Sequence, residues 1–295
     1  MDLSRALRRR PGLAGWLLLA PALLVLGGLL VLPLALLVAQ SFWTQVGLDV
    51  DRAASWRNYA FLAGDEGAFH RMLLLKSLAI SLLSALVVIL VAFPVAWFIA
   101  FHLRRSRLTW VLLVTVPFWI SYLLRICSWK IVLGFGGALN SGLLALGLID
   151  APIEALMYNR FAVILVLAHS WSAFAVLPIY VSLQKIDRSL LEAARDLGDS
   201  GTRRLRRIVL PLAMPGLLAA FLLVFVPTMG DYITPALVGG TDGAMVGTAI
   251  ASLFGKEANA PLGAALSVAT MLAVALVAVL VVGTARVSGL WRPLP

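Results

Sequence analysis

Six stretches of this chain run for twenty or more mostly apolar residues, at roughly 16–40, 77–101, 109–133, 160–183, 210–238 and 263–284. A helix of about 20 apolar residues crosses the roughly 30 Å hydrocarbon core of a bilayer. The fold class expected is therefore an all-α polytopic membrane protein with six transmembrane helices. Composition agrees: 61% of the residues are hydrophobic and 13% charged, against about 45–50% and about 25% in soluble domains. Too little polar sequence remains to cover a large soluble core.

The start, MDLSRALRRRPGLAGW, has the basic character of a signal peptide. The apolar block behind it is longer than a signal core and lacks a small-x-small cleavage site, so it is read as an uncleaved first span. Lys and Arg then set the topology. Arg5, Arg8, Arg9 and Arg10 precede span one; Arg104, Arg105 and Arg107 lie between spans two and three. Lys185, Arg188, Arg195, Arg203, Arg204, Arg206 and Arg207 lie between spans four and five, and Arg286 and Arg292 follow span six. The opposite segments show no such bias: 134–159 has no Lys or Arg, and 239–262 has only Lys256. Both termini are thus expected in the cytoplasm. The net charge of +10 is explained by these loops, which removes the reason to expect nucleic acid. The single cysteine, Cys127, cannot form an internal disulfide.

The chain divides into a tail, first span and outer segment (1–76), a five-helix core (77–284) with a cytoplasmic loop at 184–209, and a C-terminal tail (285–295). No internal repeat or low-complexity segment is visible. Segment 41–76, with Trp43, Trp56 and Tyr59, is the one outer segment large enough for a small cap, and its aromatics suit an interfacial belt.

The most polar segment is LLEAARDLGDSGTRRLRRIVLP, Leu190 to Pro211. Leu190, Leu191, Ala194 and Leu197 recur at helical spacing and give a short helix an apolar stripe. Gly198 suits a left-handed helix end. A second basic helix, Thr202 to Val209, then leads into span five. An apolar stripe in a charged surface calls for a partner, either lipid headgroups or a cytoplasmic protein.

Glu192-Ala193-Ala194, three residues, Gly198, nine residues, Ile208, one residue and Leu210-Pro211 match the EAA-x3-G-x9-I-x-L-P loop in full. The chain thereby resembles the permease subunits of bacterial binding-protein-dependent ATP-binding-cassette importers. PFWISYLLRICSWKIVL, LNSGLLALGLIDAPIEALM, LPIYVSLQKIDRSLLEAARDLG and PLAMPGLLAAFLLVFVPTMGDYITPALVGG are similar to the spermidine/putrescine permease family. The resemblance implies a type I importer permease fold in the bacterial inner membrane. It implies that Glu192, Ala193, Ala194, Leu197 and Gly198 form a coupling helix docked on a cytoplasmic ATPase. The implied partners are two ATPase subunits, a second permease subunit in a heterodimer, an outer substrate-binding protein and membrane lipid.

The chain has no G-x-x-x-x-G-K-[ST] phosphate loop; its one Gly-Lys pair, Gly255-Lys256, lacks the upstream glycine. No cofactor is expected in this chain, and ATP and Mg belong to the partner ATPase. No Cys/His cluster suits a metal, and no catalytic set is suggested by spacing, so the chain is not expected to be an enzyme.

Inside the membrane, Asp231 stands beside Gly230 and between Pro227 and Pro235. An interrupted span is tolerated where it lines a cavity or is buried in protein, and a carboxylate there is a candidate for a substrate path. The other reading puts Asp231 at the outer end of the span, in water. Tyr232, Trp119, Tyr122, Trp171 and Phe174 offer ring faces to an alkylammonium, or serve as packing and lipid contacts. His169 is expected to bond a neighbouring helix. Arg125 and Lys130 are expected to snorkel outward or to face the docking binding protein, in either case off the path. Asp150, Glu154 and Asp242 are solvated loop charges or contacts for a binding protein.

The function expected is the translocation path of an ATP-driven importer for a polyamine or related organic cation. The rival substrates in the same class are ferric iron, thiamine, opines and oxyanions. An autonomous secondary transporter would need coupling-ion carboxylates in several spans and paired repeats.

Overall fold

The computed structural model describes residues 11–47, 49–103 and 105–287, the side chains of 11–18 excepted. Arg5, Arg8, Arg9, Arg10, Arg104 and Arg292 lie outside the described residues.

Six helical stretches are long and apolar enough to span a membrane: Leu19–Ser41, Asp65–His102, Tyr122–Ala145, Arg160–Gln184, Gly201–Met229 and Ala260–Val287. The protein is an all-α polytopic membrane protein. Its elements are α1 (Pro11–Ser41), a hairpin of β1 (Thr44–Val46) and β2 (Asp49–Asp51), α2 (Arg57–Ala63), and α3 (Ala68–Trp97) ending in a π-helical turn, Phe98–His102. Next come α4 (Arg107–Thr115) with a 3₁₀ turn (Val116–Trp119), α5 (Tyr122–Leu133), α6 (Ala138–Ala145), α7 (Arg160–Gln184), α8 (Arg188–Asp196) and α9 (Gly201–Arg204). A π-helical turn, Leu205–Val209, joins α9 to α10 (Leu210–Met229); another, Pro235–Gly239, precedes α11 (Val246–Phe254), and α12 (Ala260–Val287) closes the chain.

Three helices form the centre: α3, α7 and α10 pack against one another. Their shared surface is rich in small side chains, with Ala85, Ala92, Ala96, Ala168, Ala175, Ala213 and Ala220 all buried. Lipid tails are as apolar as leucine, so helices associate by close packing rather than by hydrophobic expulsion. The closest approach is at Gly216 of α10. A Cβ there would stand 2.4 Å from the Pro178 carbonyl oxygen and 2.5 Å from Ser182 Oγ. Helix α1 is exposed on nearly all sides and packs against α12.

The third span departs from the uniform helix over 109–133 expected from hydropathy. The spanning stretch is Tyr122–Ala145, and the residues before it form a separate short helix, Arg107–Trp119, divided from it at Ile120, in extended conformation, and Ser121. Pro117 and the aromatic run around it are as apolar as the flanks, so hydropathy does not register the break. Likewise the fifth span stops at Met229 instead of continuing to residue 238, and resumes after Gly230–Tyr232.

The outer segment forms a small cap. Phe42, Trp56 and Tyr59 pack ring against ring at 4.9–5.6 Å. The Asn58 amide donates to the carbonyls of Ser41 and Trp43. The three-residue strands pair in antiparallel register, Gln45 opposite Val50. At the far end of α7, Arg160 is paired with Asp242 at 2.8 Å, so Asp242 is not a free loop charge. The Arg160 donors hold the Asp242 carboxyl down at about 2.

Gly216→Ala is expected to destabilise the protein by about 1–3 kcal/mol, the range for overpacking a filled interior. Thermal unfolding in detergent reads this, with Gly28→Ala as the control, since a Cβ at Gly28 meets nothing within 4 Å.

Candidate functional site: a capped loop helix and a buried carboxylate cluster

The first candidate site is the loop between spans four and five. Asp187 starts α8 as its N-cap: its carboxylate accepts from the Ser189 amide at 2.9 Å. That bond holds the Asp187 carboxyl below its ordinary range. Helix α8 ends at Gly198, whose φ of +84° is the left-handed conformation that favours glycine. The Gly198 amide donates to the Arg195 carbonyl and the Asp199 amide to that of Ala194, both at 2.9 Å. This pair of bonds is the Schellman ending, and it satisfies carbonyls that a helix end otherwise leaves open. Ser200 then caps α9 by accepting from the Arg203 amide. The basic stretch expected to be one helix from Thr202 to Val209 is α9 plus a π-helical turn, continuous with α10.

The apolar stripe of α8 is divided. Ala194 is buried and Leu191 packs on the bundle core. Leu190, Ala193 and Leu197 face outward with Glu192, and Leu197 is 87% exposed. At 100° per residue, Leu191 and Ala194 fall on one side of the stripe and Leu190, Ala193 and Leu197 on the other. The stripe is therefore wide enough to serve the bundle and still leave an apolar strip outside.

The second candidate site lies where the two broken spans meet. Asp231 is 8% exposed, which rules out the reading that it simply meets water at the outer end of its span. Ile233 and Leu237, just beyond it, belong to one buried cluster with Val163, Val166 and Leu167 of α7. One carboxylate oxygen accepts from the amides of Ile233 (2.9 Å) and Thr234 (3.3 Å). The other accepts from the hydroxyls of Tyr122 and Thr234, both at 2.5 Å. A carboxylate has about four acceptor positions, and here all are used by neutral donors. Among the described residues no Lys or Arg is ion-paired with it, so its negative charge is oriented but not cancelled. The Asp231 carbonyl lies against Gly247 of α11, where a Cβ would approach to 2.6 Å.

Four of the six candidate path residues are brought together. Tyr122 bonds Asp231, its ring lies 6.1 Å from that of Trp171, and Trp171 lies 5.5 Å from Phe174. Trp119 and Tyr232 are 80% and 52% exposed and stand apart from this chain of contacts.

Sequence reasoning missed two partners. Thr234 bonds Asp231 through both its hydroxyl and its amide; its place three residues after an aspartate, at a helix start, is the signal that could have found it. Arg125 does not snorkel outward. It is 8% exposed and donates to the carbonyls of Phe118 (2.7 Å), Ile120 (3.0 Å) and Ser170 (3.0 Å). Its guanidinium sits 4.8 Å from the Phe118 ring centroid. The break in span three leaves carbonyls open, and a donor-only cation closes them. His169 bonds a neighbouring helix as expected, accepting from Trp129 Nε1 at 3.0 Å. Arg125, Trp129 and His169 line a cavity of about 320 Å³ on this side.

The family model described as "Binding-protein-dependent transport system inner membrane component" matches residues 67–288. The chain is 38% identical over 226 residues to "Spermidine/putrescine transport system permease protein PotB" of Escherichia coli (strain K12), covering 71% of this chain and 82% of that protein. The protein of the same name in Haemophilus influenzae is 35% identical over 246 residues, 83% of this chain and 85% of that one. A stretch of 67 residues is 43% identical to "Spermidine/putrescine transport system permease protein PotC" of Escherichia coli (strain K12), 23% of this chain and 25% of that one. Among solved structures, a chain of a bacterial alginate ABC transporter in complex with a periplasmic protein superposes with a TM-score of 0.71. It is 17% identical and covers 99% of this chain and 100% of its own, a likeness of fold.

Tyr122→Phe removes one donor from a buried carboxylate. Hydrogen bonds to charged groups contribute about 1.5–3 kcal/mol, and a loss in that range is expected in thermal unfolding. Phe174→Leu, at a half-exposed position, should cost clearly less.

Proposed function

The chain belongs to the binding-protein-dependent transport system inner membrane components, and from that premise we propose that it forms part of the path of an ATP-driven importer for polyamines. One observation supports this most: the complete EAA-x3-G-x9-I-x-L-P spacing falls on a helix with its own caps, between spans four and five. In this reading Glu192, Ala193, Leu197 and Gly198 meet a cytoplasmic ATPase, and Ala194 seats the helix on the bundle. Both termini lie in the cytoplasm, and residues 77–284 are the transport core around the coupling loop 184–209.

The assembly contains two ATPase subunits, which hold the ATP and Mg, a second permease subunit and an outer binding protein. The local likeness to PotC, beside the longer one to PotB, supports a heterodimer. This chain holds no cofactor and catalyses no reaction; lipid is its other partner. The polyamine reading rests on the PotB relatives and on the buried Asp231 charge beside Tyr122, Trp171 and Phe174. With its four acceptor positions already filled, Asp231 acts on a passing cation through its field, while the rings make the contact.

The test is uptake of labelled putrescine and spermidine in cells lacking this chain. Restored uptake with the wild-type chain supports the reading; no restoration with the partner subunits present removes polyamines as substrates. Glu192→Lys is expected to abolish co-purification of the ATPase. Gly198→Val forces a branched side chain into a left-handed backbone, at roughly 1–2 kcal/mol, and should reduce uptake strongly. Gly198→Asn, which tolerates that conformation, should retain more uptake than Gly198→Val.

A further inference from the structure

The first residue of α8 makes its contacts away from the surface that Glu192 and Leu197 expose. Arg188 Nη2 donates to the carbonyls of Phe101 (2.9 Å) and Ala100 (3.2 Å), 87 and 88 residues earlier in the chain. Both carbonyls belong to the π-helical last turn of span two, Phe98–His102. The last carbonyls of a helix have no partner within it. Here the chain leaves in extended conformation at Leu103, φ −92° and ψ 132°, without the glycine ending seen at Gly198. A guanidinium from another element supplies the missing donors, at the end of a helix where positive charge is favoured. It also lies 6.0 Å from the Phe101 ring centroid.

We propose that Arg188 is a positioning residue that clamps α8 to the cytoplasmic end of span two, so that movement of α8 is passed to α3 instead of being absorbed in the loop. Three ties then join α8 to the three central helices. Span four enters it directly through the Asp187 cap. Arg188 holds span two. Arg204, at the root of span five, donates to the Leu191 carbonyl at 3.4 Å. Without the Arg188 tie, a displacement of α8 reaches α7 and α10 directly and α3 only through its packing against them. Ala100 is 3% exposed, so losing Arg188 also leaves a carbonyl short of a donor, and thermal stability is measured beside uptake to separate that cost from the loss of the tie. Both carbonyls are reached by one nitrogen, Nη2, so a lysine ammonium with its three donors can replace part of the tie, without the flat face that lies near the Phe101 ring.

The clamp rests on the importer reading, and the experiment separates the two. Wild type, Arg188→Gln and Arg188→Lys are purified with their partner subunits, and ATP hydrolysis and uptake are measured on the same reconstituted vesicles. The expected result for Arg188→Gln is full co-purification of the ATPase, hydrolysis within about twofold of wild type and uptake lowered about tenfold, with Arg188→Lys in between. Spin labels at Arg105 and Ser189, in a Cys127→Ser background, should hold one distance on nucleotide addition with Arg188 present and spread to several in Arg188→Gln. Equal uptake per ATP in wild type and Arg188→Gln would overturn the clamp. So would a parallel fall of uptake, hydrolysis and thermal stability, which marks a helix cap alone. A wild-type chain that captures no ATPase overturns the importer reading itself, and the clamp with it.

Discussion

A backbone N–H or C=O left unpaired in hydrocarbon costs several kcal/mol, and this fold interrupts its apolar helices twice, between Arg107–Trp119 and Tyr122–Ala145 and again after Met229. Each break is answered by one charged side chain of the matching polarity. At Ile120 the first interruption leaves the Phe118 and Ile120 carbonyls open, and Arg125, which can only donate, closes them. Span five stops at Gly230 and restarts with open amides, and Asp231, which as a carboxylate can only accept, closes those. Tyr122 stands at the start of α5 on one side and bonds Asp231 on the other. The two irregular segments are therefore fixed to each other, and the ring faces of Tyr122 and Trp171 are fixed with them.

Around this seam the bundle is held by closeness more than by bulk. Alanines line the shared surface of α3, α7 and α10, and Gly216 lets two backbones touch. Close-packed interiors move as blocks and not by continuous bending. A fold of this kind transmits displacement from the loop between spans four and five if the loop is fastened to the block. The chain does this with caps at Asp187, Gly198 and Ser200, and with side chains that reach from the loop to the helix ends.

Much of this was legible in the sequence, for reasons that can be named. Hydropathy finds spans because the bilayer imposes a length, and it marked all six regions, but the third spanning stretch is Tyr122–Ala145 and not 109–133. The loop helix was legible because its caps are local: Gly198 sits where the helical spacing stops. The breaks were only half legible. Pro227, Gly230 and Pro235 mark the one in span five, while the one in span three lies in residues as apolar as its flanks. Arg125 was misread because its acceptors are backbone carbonyls, which no side-chain pattern reveals. Asp231 and Tyr122 were each singled out by type, yet their bond spans 109 residues, a separation at which spacing says nothing. The division of the α8 stripe between bundle and exterior also needed the neighbouring helices to be in place.

Helix α8 brings its own ends with it, capped by Asp187 at one and closed by Gly198 at the other. A segment this short is marginal as a free helix in water; here it is ordered before anything meets its outer strip. An element that must fold as it binds gives up ordering entropy at that moment, and one already rigid does not. Whatever docks on Leu190, Ala193 and Leu197 therefore meets a finished surface. Its affinity depends on fit, and a loosened cap weakens docking even where every contact residue is kept.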